Sequence, residues 1–193
     1  CKIPLELRLE EGRLNLKKVK VSYSWIIGIS SLIVIILVTV FEFREGMMLY
    51  GDTTFHVNRI FEIRQAFKAH SIPNWLSFIS FSQLGQAVNA MYPDITLWPL
   101  VLATNDLSFF NQLLVIRIII LLLAILVTYF SLSNRGFFSE ESFLAATVYG
   151  LSGYSLYQFI IEFQPSVAII YAFTFPLVFL AIDVLRAERF DIW

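Results

Sequence analysis

The run from Phe109 to Phe130 holds one charged residue, Arg117, and neither proline nor glycine. A helix needs about 20 apolar residues to cross the hydrocarbon core of a bilayer, and this run has that length. Three further runs resemble it. Trp25 to Phe43 carries only Glu42, near its end; Phe143 to Ile161 carries no charge; Ser166 to Ile182 carries none and contains Pro176. A proline is tolerated in a membrane helix because neighbours re-satisfy the freed carbonyl. Four such runs in 193 residues predict a polytopic membrane protein rather than the core of a soluble one. Composition agrees. The chain is 58% hydrophobic and 15% charged, with mean hydropathy +0.72, whereas soluble domains carry about 25% charge. A net charge of −1 gives no attraction to nucleic acid. The single Cys1 excludes an internal disulfide.

The expected fold class is all-α: a transmembrane bundle of about four spans, with an interfacial amphipathic helix in the first outer loop. Lys and Arg collect on cytoplasmic flanks. Arg8, Arg13, Lys17, Lys18 and Lys20 precede the first run, and Arg186 and Arg189 follow the fourth. Both termini are therefore expected in the cytoplasm. The segments are 1–24 inside, a span at 25–43, an outer loop at 44–108, a span at 109–130, an inner loop at 131–141, spans at 142–161 and 166–182, and a cytoplasmic tail at 183–193. A removable signal peptide is not expected, because the N-terminal region is long and acidic and no small-residue cleavage site follows Val40.

The outer loop is too rich in Phe, Trp, Ile and Leu to be disordered, and loops of this length are usually functional. Over 52–70, Val57, Ile60, Ile63 and Phe67 share one helical face, and Thr54, Asn58, Glu62, Gln65 and Ala69 share the other. Asp52 and His56 lie one turn apart near the apolar face, with Arg59 at its edge. Asp52 reads either as the N-cap of this helix or as a carboxylate turned into a site; His56 reads as a satisfied interfacial histidine or as the partner of that carboxylate. The stretch 75–104 is broken by Gly85, Pro93 and Pro99 and reads as a re-entrant or interfacial piece. Tyr92, Trp75 and Trp98 read as interface anchors or as rings that stack on a sugar. Asp94 either supports the site or caps a helix. Arg117 lies mid-span, where a charge faces the bundle interior; Asp94, Asp106 and Glu162 are its candidate partners, in a functional pair or in one that only fixes packing.

Three strings carry a family resemblance. "GDTTFHVNRIFEIRQAF" (51–67) and "GQAVNAMYPDITLWPLVL" (85–102) resemble segments of large bacterial membrane proteins described as related to pyruvoyl-tetrahydropterin synthase. "VYGLSGYSLYQFIIEFQPSVAIIYAFTFPLVFLAIDVLRAERF" (148–190) resembles the YfhO family. Both groups resemble the GT-C glycosyltransferase superfamily, and the likeness spans 46–190 of chains that are several times longer. It implies a membrane enzyme that moves a sugar from a polyprenyl-phosphate donor to a cell-envelope acceptor such as lipoteichoic acid. It implies Asp52 as the catalytic carboxylate, and His56, Arg59 and Tyr92 as matching motif positions. The family acid that opens the span equivalent to 166–182 is absent; Glu162 is the nearest acid. No D-x-D pair is present, so no cofactor is expected and a divalent metal is left open.

Sugar transfer needs a base for the acceptor hydroxyl and cationic or dipolar groups for the leaving phosphate. Asp52 is expected as that base. His56 and Arg59 are expected at the phosphate, with Tyr92, Asp94, Arg117 and Glu162 as further substrate-binding candidates. Two other readings stand beside this one. One is a transporter or flippase with Arg117 and Glu162 on a polar path; the other is a non-catalytic membrane module that needs a partner.

Overall fold

The structure, a computed structural model, describes residues 25–41, 52–80, 83–85, 87–92 and 94–186. The expected cytoplasmic segment 1–24 and residues 187–193 of the tail lie outside the described residues. Every regular element among the described residues is helical. They are α1 (Trp25–Phe41), α2 (Thr53–Lys68), α3 (Val88–Met91), α4 (Trp98–Ala103), α5 (Phe109–Ser133), α6 (Ser139–Gly150), α7 (Gly153–Leu156), α8 (Pro165–Ala172) and α9 (Thr174–Arg186). A π-helical turn, Tyr157–Ile161, follows α7.

Helix α5 is the axis of the fold. Ser108 starts it: its backbone is extended and its hydroxyl accepts the Asn111 N–H at 3.4 Å. One stripe, Leu113, Ile116, Arg117, Ile120, Leu121 and Ala124, is buried at helical spacing. Ile60 and Ile63 of α2, Val101 of α4, Phe163, and Ala168 and Ala172 of α8 close the same core. On the far side Phe110, Leu126 and Phe130 stay exposed, as a lipid-facing surface would. Among the described residues α5 is the one single helix long and apolar enough to cross a membrane, with mean hydropathy 2.9; α8 and α9 pass the same test taken together.

The two C-terminal runs differ from the unbroken helices expected. The 142–161 run is divided at Leu151. Helix α6 ends at Gly150, and the Ser152 hydroxyl then caps a new helix by accepting the Ser155 N–H. A serine followed by glycine offers the backbone that local alternative. The 166–182 run bends by 44° between α8 and α9. Pro176 accounts for the bend, since it has no N–H for the Ala172 carbonyl and its ring crowds that carbonyl. Helix α1 stacks Trp25 on Phe143 of α6, ring centroids 4.0 Å apart.

The 75–104 piece contributes two short helices rather than one long one. Leu97 and Val101 turn inward, and Ile95 and Leu102 remain exposed. Thus α4 packs against α2 and α5, with the Trp98 ring edge-on to Phe67 in the last turn of α2.

Candidate functional site

The N-terminus of α2 meets the end of the π-helical turn. The Asp52 backbone N–H donates to Oε2 of Glu162 at 3.1 Å, and the Thr53 hydroxyl reaches the carbonyls of Ile161 and Glu162 at 2.9 and 3.0 Å. Thr53 is fully buried by this contact. The four leading N–H groups of a helix lack internal acceptors, so a carboxylate from another element satisfies one of them and faces the positive end of the helix dipole. Asp52 therefore does not serve as a side-chain N-cap. Its carboxylate is exposed rather than turned to the apolar side, and its Oδ2 accepts from Nε2 of Gln164 at 3.4 Å.

Glu162 has a third neighbour. The Tyr157 hydroxyl donates to its Oε1 at 2.6 Å. That bond first, and the Asp52 N–H second, hold the Glu162 carboxyl below its usual range. Directly after it, Phe163 has φ +42° while only 1% exposed. A bulky residue in that region is strained, and such strain gathers at functional sites. The Phe163 ring lies under the Arg117 guanidinium at 4.7 Å. This is where the structure places Arg117: 2% exposed, mid-helix, against an aromatic face.

His56, one turn into α2, is 2% exposed. Burial first, and the neighbouring Arg59 second, push its pKa down to about 4. The Arg59 Nη1 contacts its Nδ1 at 3.2 Å. Arginine has only donors, so Nδ1 is the acceptor and the proton of the neutral ring sits on Nε2.

Arg59 is fully buried, not at the edge of the apolar face as expected. Its Nη2 donates to the Tyr92 carbonyl at 2.7 Å and its Nε to Oδ1 of Asn89 at 3.3 Å. The guanidinium stands 5.3 Å from the Tyr92 ring centroid. These contacts tie Arg59 to His56, to the Asn89 side chain and to the Tyr92 carbonyl. Burial pushes the Arg59 pKa down, and nearby Asp94 opposes that shift; the Asp94 Oδ2 accepts the Trp98 indole N–H at 3.0 Å. Asp94 and Trp98 thus brace α4.

Asp52, His56 and Glu162 therefore come together at one end of the fold, Tyr92 and Asp94 hold its side through Arg59, and Arg117 lies beneath it. Three contributors went unread in the sequence. Tyr157 and Gln164 sit in or beside an apolar run and carry no local signal. Asn89 lies within the broken 75–104 stretch and carries no local signal either. A fourth feature, the Arg64–Gln112 link at 2.7 Å, joins α2 to α5. No group of three or more His, Cys, Asp or Glu side chains is placed to hold a metal among the described residues.

Among the described residues the fold and site define an all-helical protein with a bilayer-length central helix and a corner where the start of α2 meets Glu162. No protein-family model matches the chain, and neither a curated protein nor a solved structure matches it.

Proposed function

We propose that this chain is a GT-C-like glycosyltransferase module in a bacterial membrane. It takes a sugar from a polyprenyl-phosphate donor and passes it to a cell-envelope polymer on the outer face. The juxtaposition of Asp52 and Glu162 across the start of α2 supports this reading above all else. Both termini lie in the cytoplasm, α1 and α5 span, and the two divided segments complete about four crossings. The α2 corner then stands at the outer interface, where a polar sugar on a lipid tail arrives.

In this reading Asp52 is the general base. It is exposed and keeps an oxygen within reach of an acceptor hydroxyl. Glu162, held ionised by Tyr157 and the Asp52 N–H, fixes the start of the helix and keeps the base in place. Neutral His56 offers its Nε2–H to the leaving phosphate, a dipolar rather than cationic contact. Transfer of radiolabelled hexose from polyprenyl phosphate, measured with the full-length protein in proteoliposomes, tests the proposal. Asp52→Asn is expected to lower the rate at least 100-fold. Undiminished transfer would remove Asp52 as the base. Loss of lipid translocation in Arg117→Leu with transfer intact in Asp52→Asn would favour a flippase.

A further inference from the structure

On another flank of α2, away from Asp52, lies a cleft of about 570 Å³ between the helix and the 71–80 segment. Small-molecule sites occupy roughly 300–1,000 Å³. Glu62 is the charged residue in its wall. It follows Asp52 by ten positions, about 15 Å along the helix axis at about 1.5 Å per residue. The sequence pattern placed Glu62 on the polar, outward face, yet it is only 9% exposed.

Its placement is built rather than incidental. The Ser77 hydroxyl and the Ser80 backbone N–H, the latter at 2.8 Å, both donate to Oε1 of Glu62. Those bonds fold the 71–80 segment over the helix and fix the orientation of the carboxylate. Asn74 and Asn89 stand across the cleft, tied by the Asn89 Nδ2–H to the Asn74 carbonyl at 3.1 Å. Gln65, one turn beyond Glu62, adds a second amide on the helix side. Apart from Ser71 the remaining wall is apolar. Phe78 presents a ring that is 53% exposed and lies close to Gly85, where a Cβ would come within 2.9 Å of its Cε1. Gly85 has φ +76°, which leaves that position open to glycine.

We infer that this cleft is a binding site for a neutral, hydroxyl-rich group: a short saccharide, free or as a lipid headgroup. A fixed carboxylate accepts hydroxyl protons, and the amides of Gln65 and Asn74 both donate and accept. The Phe78 ring meets the apolar face of a sugar. A phosphate or carboxylate ligand is disfavoured by Glu62, and the cleft offers it no Lys or Arg. Ile72 and Trp75, 79% and 72% exposed at the lip, leave room for a lipid tail beside the headgroup. The inference rests on this cleft and not on the transfer reaction.

Calorimetric titration of the full chain in detergent tests it with four probes. These are a free disaccharide (maltose), diglucosyl-diacylglycerol in mixed micelles, phosphatidylcholine micelles and choline. Binding of maltose or the glycolipid, with phosphatidylcholine and choline silent, is the expected result; maltose binding alone marks a free-saccharide site, and stronger glycolipid binding marks a headgroup site. Gln65→Ala and Phe78→Ala, which remove neither partner of the Glu62 bonds to Ser77 and Ser80, should each weaken that binding at least 10-fold without changing the melting temperature. Glu62→Gln should weaken it further. Asp52→Asn should leave it unchanged. Absence of binding by both sugar probes, binding of choline in their place, or sugar binding that survives both alanine variants or is lost in Asp52→Asn would overturn the inference.

Discussion

Oε2 of Glu162 accepts the backbone N–H of Asp52 at 3.1 Å, although 110 residues separate the two in sequence. The contact joins the first residue of the α2 corner to the break between α7 and α8. The Tyr157 hydroxyl completes the arrangement by donating to the other oxygen. Tyr157→Phe removes the largest influence holding the Glu162 carboxyl below its usual range. The folded-state pKa then rises toward the unfolded value. The stability Glu162 contributes is present above its unfolded pKa and is lost as pH falls through the folded one. That loss, and the acid limb of any activity profile, should therefore move to higher pH in Tyr157→Phe. Thermal unfolding from pH 6 to pH 3 checks the direction; an unmoved profile would show that Tyr157 does not act on Glu162.

His56 should give the chain a separate acid sensitivity. Its pKa falls from 6.5 to about 4 on folding, because burial and Arg59 disfavour the cation. The unfolded chain takes up a proton near pH 6.5 while the folded one does not. Stability therefore declines as pH drops from about 6.5 and levels off below about 4, by about 3 kcal/mol at one pKa unit per roughly 1.4 kcal/mol. His56→Gln should flatten that part of the curve. Melting temperatures of both proteins at pH 7.5 and 4.5 measure the difference, and equal slopes would remove His56 as the cause.

Arg59 is expected to be the costliest of the α2 polar residues to truncate. Arg59→Ala strands His56 Nδ1, the Asn89 amide oxygen and the Tyr92 carbonyl in a buried place. Each unsatisfied group costs about 1–3 kcal/mol, so a loss of about 3 kcal/mol or more is expected. Arg59→Lys should recover only part of it, since an ammonium cannot match three acceptors held in a planar fork. Denaturation in detergent reads the order wild type, Lys, Ala. A Lys variant as stable as wild type would mean that the fork geometry is unimportant.

Much of this architecture is written locally. The 109–130 run, with Arg117 as its one charge, gives α5 directly, and the Asp52, His56, Arg59 spacing marks the right end of α2. The burial of Arg59, Glu62 and Arg64 could not be read that way. An amphipathic pattern assigns charges to the wet face, but here α3, α5 and the 71–80 segment bring acceptors and donors to the helix from the other side. Arg64 meets Gln112 and the Leu107 carbonyl, and Glu62 meets Ser77 and Ser80. Those partners lie 15 to 48 positions away, beyond any helical period. The break at Leu151 was legible in part. Gly150-Leu151-Ser152-Gly153 combines a helix stop with a serine cap, and hydropathy alone masks it.

The same four-residue string brings α6 close against α5. A Cβ added at Gly150 would lie 2.5 Å from Cγ1 of Ile125, which is 5% exposed. Real atoms do not approach so closely, so Gly150→Ala must push the two helices apart or twist Ile125 from its rotamer. Such overpacking costs about 1–3 kcal/mol. Alanine's better helix propensity returns at most about 1 kcal/mol, and less at the last residue of a helix. The clash should win, giving net destabilisation. Ile125→Ala alone opens a cavity and should cost about 2–5 kcal/mol. In the double variant the new methyl enters the vacated space, so its loss should be smaller than the sum of the two by about 1 kcal/mol or more. A double-mutant cycle on thermal unfolding measures that coupling. Strict additivity would show that α5 and α6 do not meet at these two residues.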